Sequence, residues 1–272
     1  MRTRGHTEAN VKSAALADIL SARGISKSHP DHRSGHQVEA LRDVSVNVGH
    51  HEFVSVIGPS GCGKSTFLRI IAGLDQPSAG DVVVAGKRVS RPGADRGMVF
   101  QEYALLPWKT TQKNIEFGPL LKGKPKAERA EIARRFIALV GLAGAEHKYP
   151  HQLSGGMRQR AAVARALANN PAILLMDEPF AAVDAMTRQR LQEELAAISA
   201  AERTTVLFVT HAIEEAVFLS DRVVVLSGKP GRVVADLAID LARPRRWKEL
   251  RQEPKFAGYC TELTRHLAGP PS

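Results

Sequence analysis

The stretch "EFVSVIGPSGCGKSTFLRIIAGL", residues 52–74, constrains the fold more than any other part of this chain. An apolar run rich in β-branched residues stops at Gly58, a glycine-rich turn follows, and good helix formers begin at Ser65. "GPSGCGKST" fits G-x-x-x-x-G-K-[ST] between a strand and a helix, the context in which that spacing forms a phosphate cradle. Gly58, Pro59, Ser60, Gly61, Cys62 and Gly63 form the turn, whose glycines leave backbone N–H groups free to face phosphates. Lys64 is expected to reach the β- and γ-phosphates, Ser65 to offer its hydroxyl to Mg²⁺, and Thr66 to support the α- and β-phosphates.

A cradle of this kind needs a sheet behind it, and the rest of the sequence supplies one. "DVVVAG", "RGMVF", "AILLM", "TVLFVT" and "RVVVLS" read as short apolar strands. Helical patterns such as "DAMTRQRLQEELAAISA" and "AIEEAVFLS" separate the later ones. That alternation implies an α/β fold with a mainly parallel sheet covered on both faces. Short strand-like pieces between 16 and 48 imply a smaller β region. From 102 to 170 no convincing strand is present, so a helical subdomain is inserted there. In it, "KAERAEIARRFIALVGL" places Ile132, Phe136, Leu139 and Val140 on one face. Residues 1–15 read as a flexible tail, 16–235 as the main domain and 236–272 as a C-terminal extension.

Composition narrows the function classes. Of 272 residues, 43% are hydrophobic and 24% charged, which suits a globular protein. No apolar run approaches the ~20 residues that cross a bilayer, and the polar N-terminus carries no signal-peptide pattern. The two cysteines, Cys62 and Cys260, read as free thiols of a reducing compartment. Cys62 is either reactive beside Lys64 or merely a small residue the turn tolerates. The net charge of +10 describes either a solvated basic surface or a surface for anionic partners. No nucleic-acid motif accompanies it.

Four further elements carry chemistry. In "AILLMDEP", Asp177 ends a buried strand, where it can hold Mg²⁺ through water. Glu178 then points to where an attacking water would sit, as a general base or water-positioner. His211, directly after "LFVT", lies at the sheet edge where such folds bind ligands; it reads as a γ-phosphate sensor that also fixes Glu178. Gln101, at the junction of strand and helical insertion, is placed to meet Mg²⁺ and the attacking water. Finally, "LSGGMRQR" is a second anion site: Ser154, Gly155 and Gly156 open a helix with bare N–H groups.

The phosphate loop, Gln101, "LSGGMRQR", "LLMDEP", "AAVD" and His211 resemble ATP-binding cassette (ABC) ATPases in order and spacing, over roughly 16–235. That resemblance implies an answer to why one chain carries two anion sites. Two cassettes pack head to tail, so Ser154, Gly155 and Gly156 of one would bind the γ-phosphate held by the other. Asp184, in "AAVD", would lie at that interface, in a C2 homodimer or a pair with a similar cassette. The chain departs from the family pattern at His29, where an aromatic residue usually stacks on adenine, and at "HEF", where His51 replaces glycine.

A separate cassette with a short helical insertion resembles importer subunits. The implied cofactors are ATP and Mg²⁺. The implied partners are a second cassette, two transmembrane permease subunits and an extracytoplasmic solute-binding protein, with no nucleic acid. The implied location is peripheral, on the cytoplasmic face of the inner membrane. "LLPW", "AGKRVSRPGADRGMVFQ" and "PGRV" resemble the nitrate, sulfonate and taurine group, most of all its taurine branch. The expected function is ATP hydrolysis driving uptake of taurine or a related alkanesulfonate. The alternatives are the same role for nitrate or another small anion, and a soluble regulatory ABC ATPase.

Overall fold

The computed structural model describes residues 18–30, 37–181 and 183–268; the expected tail at 1–15 lies outside them. In chain order the first strands are β1 (Leu20–Pro30), β2 (Gln37–Val48) and β3 (Phe53–Ile57). Helix α1 (Lys64–Ala72) follows, then β4 (Ala79–Val84), β5 (Lys87–Arg88) and β6 (Arg96–Val99). The helical insertion holds α2 (Thr111–Leu121), α3 (Lys126–Leu139) and α4 (Gly155–Leu167). The alternation resumes with β7 (Ile173–Asp177), α5 (Ala185–Ala201), β8 (Val206–Val209), α6 (Ile213–Leu219) and β9 (Arg222–Leu226). The chain continues through β10 (Val233–Ala238), α7 (Trp247–Leu250) and α8 (Pro254–Ala268).

Six strands form the main sheet in the order β10-β9-β3-β8-β7-β6. All its pairings are parallel except β10 on β9. β3 lies inside it and is buried along its whole length. Its side chains alternate between two cores. Val54 and Val56 join Phe67, Leu68, Ile70 and Ile71 of α1. Phe53 and Ile57 join Phe208 of β8 and Phe218 of α6. The smaller sheet, β2-β1-β4-β5, is antiparallel and closes over the other side of α1 through Leu20, Ile25 and Val44. The helix that carries the cradle is thus clamped between two sheets. Each of its four large apolar side chains contributes about 1.5–3 kcal/mol on burial.

The helical insertion is as expected, with two adjustments. On α3 the buried face is Ala133, Phe136 and Ile137, continued by the cap Val140, while Ile132 and Leu139 sit at its edge. α2 was not foreseen. Thr110 caps its start by accepting from Lys113 N, and buried Asn114 bonds the Leu106, Lys109 and Thr110 carbonyls. β10 carries the main sheet through Ala238.

Candidate nucleotide site

The site lies at the C-terminal ends of the parallel strands. An open cavity of about 360 Å³ is lined by His29, Ala40, Ser60, Gly61, Gly63, Lys64, Ser65, Thr66, Glu178 and Lys229. A larger cavity, about 720 Å³, lies at the other end of the strands, beside His51, Ala172 and Thr205. It contains none of the phosphate-loop residues.

The cradle's shape follows from its glycines. Gly63 caps α1 with φ +98, in the left-handed region, and a Cβ there would meet Leu41 Cδ2 at 2.6 Å and Ala40 O at 2.9 Å. Neither the dihedral nor the space admits another residue. No side chain caps α1, so the first N–H groups of the helix remain donors for an anion. Lys64, 6% exposed, lays its ammonium over the turn, 2.8 Å from Gly58 O and 3.0 Å from Pro59 O. Cys62 is buried, and burial pushes its thiol up. A protonated, enclosed sulfur is inert, which decides between the two readings of this residue.

At the lip of the cradle Ser65 Oγ donates to Asp177 Oδ1 at 2.9 Å. Burial, with Glu178 beside it, pushes the Asp177 carboxyl up, while the Ser65 hydroxyl opposes the shift. A cation would reverse that cost. A hydroxyl and a carboxylate are hard oxygen donors, and this pair fits Mg²⁺, which takes few protein ligands beside nucleotide phosphates.

Glu178 turns out of β7 with φ +43, its N–H donating to Val209 O at 2.9 Å. This places its carboxylate in the cavity and 3.1 Å from His211 Nδ1. The expected pairing of Glu178 with His211 is therefore present in the geometry. Behind it lies a network the sequence reading missed. Thr210 Oγ1 accepts from Ala212 N at 3.0 Å and donates to Glu215, which also accepts from Gln192 Nε2 at 2.6 Å. Burial pushes the Glu215 carboxyl up. The acidic pair in "AIEEAVFLS" was its signal in the sequence. Lys229, also missed, lines the cavity from the turn after β9.

His29 lies on β1, exposed, and lines the cavity. Gln101 is exposed in the turn after β6 and is not among the residues lining the cavity. Tyr103 and Ala104 are left-handed, φ +55 and +46, and Arg165 of α4 takes both their carbonyls. That grip directs the turn toward the helical insertion.

Ser154, Gly155 and Gly156 also lie outside the cavity. Ser154 caps α4, accepting from Met157 N at 3.3 Å. A Cβ on Gly156 would meet Thr187 Cγ2 of α5 at 3.3 Å. Asp184 caps α5, accepting from Thr187 N at 3.0 Å. The start of α4, expected as a second anion site, and the start of α5 after Asp184 are thus neighbours, and Ser154, Gly155, Gly156 and Asp184 do not line the cavity.

Comparison with known proteins agrees with this geometry. The ABC transporter family profile matches residues 41–181. An uncharacterized ABC transporter ATP-binding protein of Methanocaldococcus jannaschii is 60% identical over 212 residues, 78% of this chain and 79% of that protein. A nitrate import ATP-binding protein of Synechocystis is 46% identical over 237 residues, 85% of this chain and 89% of that protein. Among solved structures, a dimeric bacterial ABC transporter cassette superposes with TM-score 0.71 at 32% identity, covering 82% of this chain and all of that one. With its site geometry, more than half its length matched by the family and a relative this similar, the chain belongs to the ABC transporter family as an ATP-binding, ATP-hydrolysing subunit.

Proposed function

We propose that this subunit powers an importer for a small anion, nitrate first, through ATP sites completed between two cassettes. The observation that carries the ATP chemistry is the convergence of Lys64, Ser65, Asp177, Glu178 and His211 at one end of the sheet. The loop N–H groups and Lys64 hold the β- and γ-phosphates. Ser65 and Asp177 would hold Mg²⁺, which would supply charge neutralisation on those phosphates. Glu178 orients or deprotonates the attacking water, and His211 holds Glu178 in place. Ser154 and Gly156 of a second cassette close over the γ-phosphate. Positioning and charge stabilisation supply most of the rate.

The membrane partner is proposed as a pair of permease subunits, with a solute-binding protein outside. Trp108, 71% exposed in the segment after Gln101, supports a docking role for that segment. The solute rests on kinship alone, since nothing in the cavity recognises one. The named-solute relative above is a nitrate protein, so taurine gives way to nitrate. The test is deletion of the gene, followed by growth on nitrate as sole nitrogen source and on taurine as sole sulfur source. Loss of growth on nitrate alone, restored by the intact gene and not by Glu178→Gln, supports the reading. Loss on taurine alone moves the solute to sulfonates. Normal growth on both removes the importer role for either solute.

A further inference from the structure

α6 is a seven-residue helix with His211 just before its start and Ser220 at its end. Such a helix leaves its last four carbonyls without intrahelical donors. Here Ala216 O accepts from the cap Ser220 N, and the carbonyls of Val217, Phe218, Leu219 and Ser220 are taken by one short segment of the C-terminal extension. Arg245 Nη1 donates to Val217 O, Phe218 O and Ser220 O at 2.8, 2.9 and 2.8 Å. Arg243 Nη2 donates to Leu219 O at 2.6 Å. Arg245 is only 5% exposed, and its second terminal nitrogen, Nη2, reaches Leu241 O at 3.0 Å. A guanidinium buried on carbonyls alone is costly, and burial lowers its pKa to about 10. The C-terminal partial charge of α6 offsets part of that cost.

The next turn of the extension grips both helices behind the site. Trp247 stacks on Phe218 of α6, ring centroids 4.3 Å apart and planes at 8°. Its backbone N–H donates to Glu193 Oε1 of α5 at 2.9 Å. On α5 the adjacent Gln192 donates to Glu215 of α6, and Glu215 accepts from Thr210, which holds the His211 turn. Contacts therefore run from Arg243, Arg245 and Trp247, through α5 and α6, to Thr210 and Ala212, the two residues that flank the histidine beside Glu178.

We propose that Arg243, Arg245 and Trp247 are positioning residues for ATP hydrolysis, and that this part of the extension fixes the height and rotation of α6 so that His211 meets Glu178. The inference rests on the ATPase activity and not on which solute is carried.

The test compares Arg245→Lys with the intact full-length chain. Lysine keeps the charge but cannot span both groups of carbonyls. At constant folded concentration, kcat is expected to fall about tenfold with the ATP KM within about twofold. The imidazole resonances of His211, assigned by loss in His211→Gln, are expected to shift. Arg243 is exposed, and Arg243→Gln gives a variant that folds even if Arg245→Lys does not. It is expected to show the same pattern at about threefold. Unchanged kcat, or a lower kcat with the His211 resonances unmoved, overturns the proposal. A fall in activity that only tracks loss of folded protein does so too. An intact chain that hydrolyses no ATP would instead strike at the ATPase reading.

Discussion

Adjacent carboxylates at the end of β7 sit in opposite situations. Glu178 adopts φ +43, a conformation that costs a non-glycine residue about 1–2 kcal/mol. It is held there by its N–H to Val209 O and by His211. Glu178→Gln keeps the shape and the backbone bond while removing the base. Hydrolysis is expected to fall at least about 100-fold, with ATP affinity retained, measured by phosphate release and nucleotide titration. Asp177, by contrast, is disfavoured as an anion by burial. Its folded pKa lies above the ordinary carboxylate value, so the native state holds the proton more tightly. Stability therefore falls as pH rises through that window. Without nucleotide, Asp177→Asn is expected to raise Tm by about 1–3 °C at pH 7.5. The gain should vanish as pH falls toward the unfolded value, where wild-type Asp177 takes up its own proton. A stabilised variant that no longer hydrolyses ATP is the signature of a charge kept for function.

At the scale of elements, the sequence was legible where local pattern and tertiary role agree. The strand, glycine turn and helix at 53–72 satisfy both, as do the caps Ser154 and Asp184. α2 was hidden because Gly118 and Pro119 are breaker signals. Gly118 is required by packing, since a Cβ there would sit 2.0 Å from Asn169 Oδ1. β10 was hidden because it is an edge strand whose alternation of half-buried and exposed positions is not matched by an alternation of apolar and polar residues in "VVADLA". The turn at Gln101 was read for its position at a boundary, but its direction depends on Arg165, sixty-odd residues away in the chain. That dependence is testable. Arg165→Met leaves the carbonyls of two left-handed residues without their donor, at a cost of about 1–3 kcal/mol. Amide exchange at Tyr103 and Ala104 should accelerate, while exchange in β3 and α1 stays as in the parent chain.

On the scale of the whole molecule, the decisive fact is separation. Lys64 lines the nucleotide cavity and Ser154 does not, although both stand at helix starts. A solved relative at 32% identity is a dimer, and in a twofold pair of this chain the start of each α4 would be available to the partner's cradle. The composite reading then makes a prediction that a self-contained site cannot. Lys64→Ala damages the cradle of its own chain, and Ser154→Arg damages the site that chain completes in its partner. In a mixed pair, one composite site carries both lesions and the other carries neither. Mixtures should therefore hydrolyse ATP faster than either variant alone, rising to a maximum near equal amounts. If Ser154 served its own chain's cradle, every site in the mixture would keep one lesion, and the rates would only average. Measuring the rate against mixing ratio, with the mixed dimer verified by mass, separates the two.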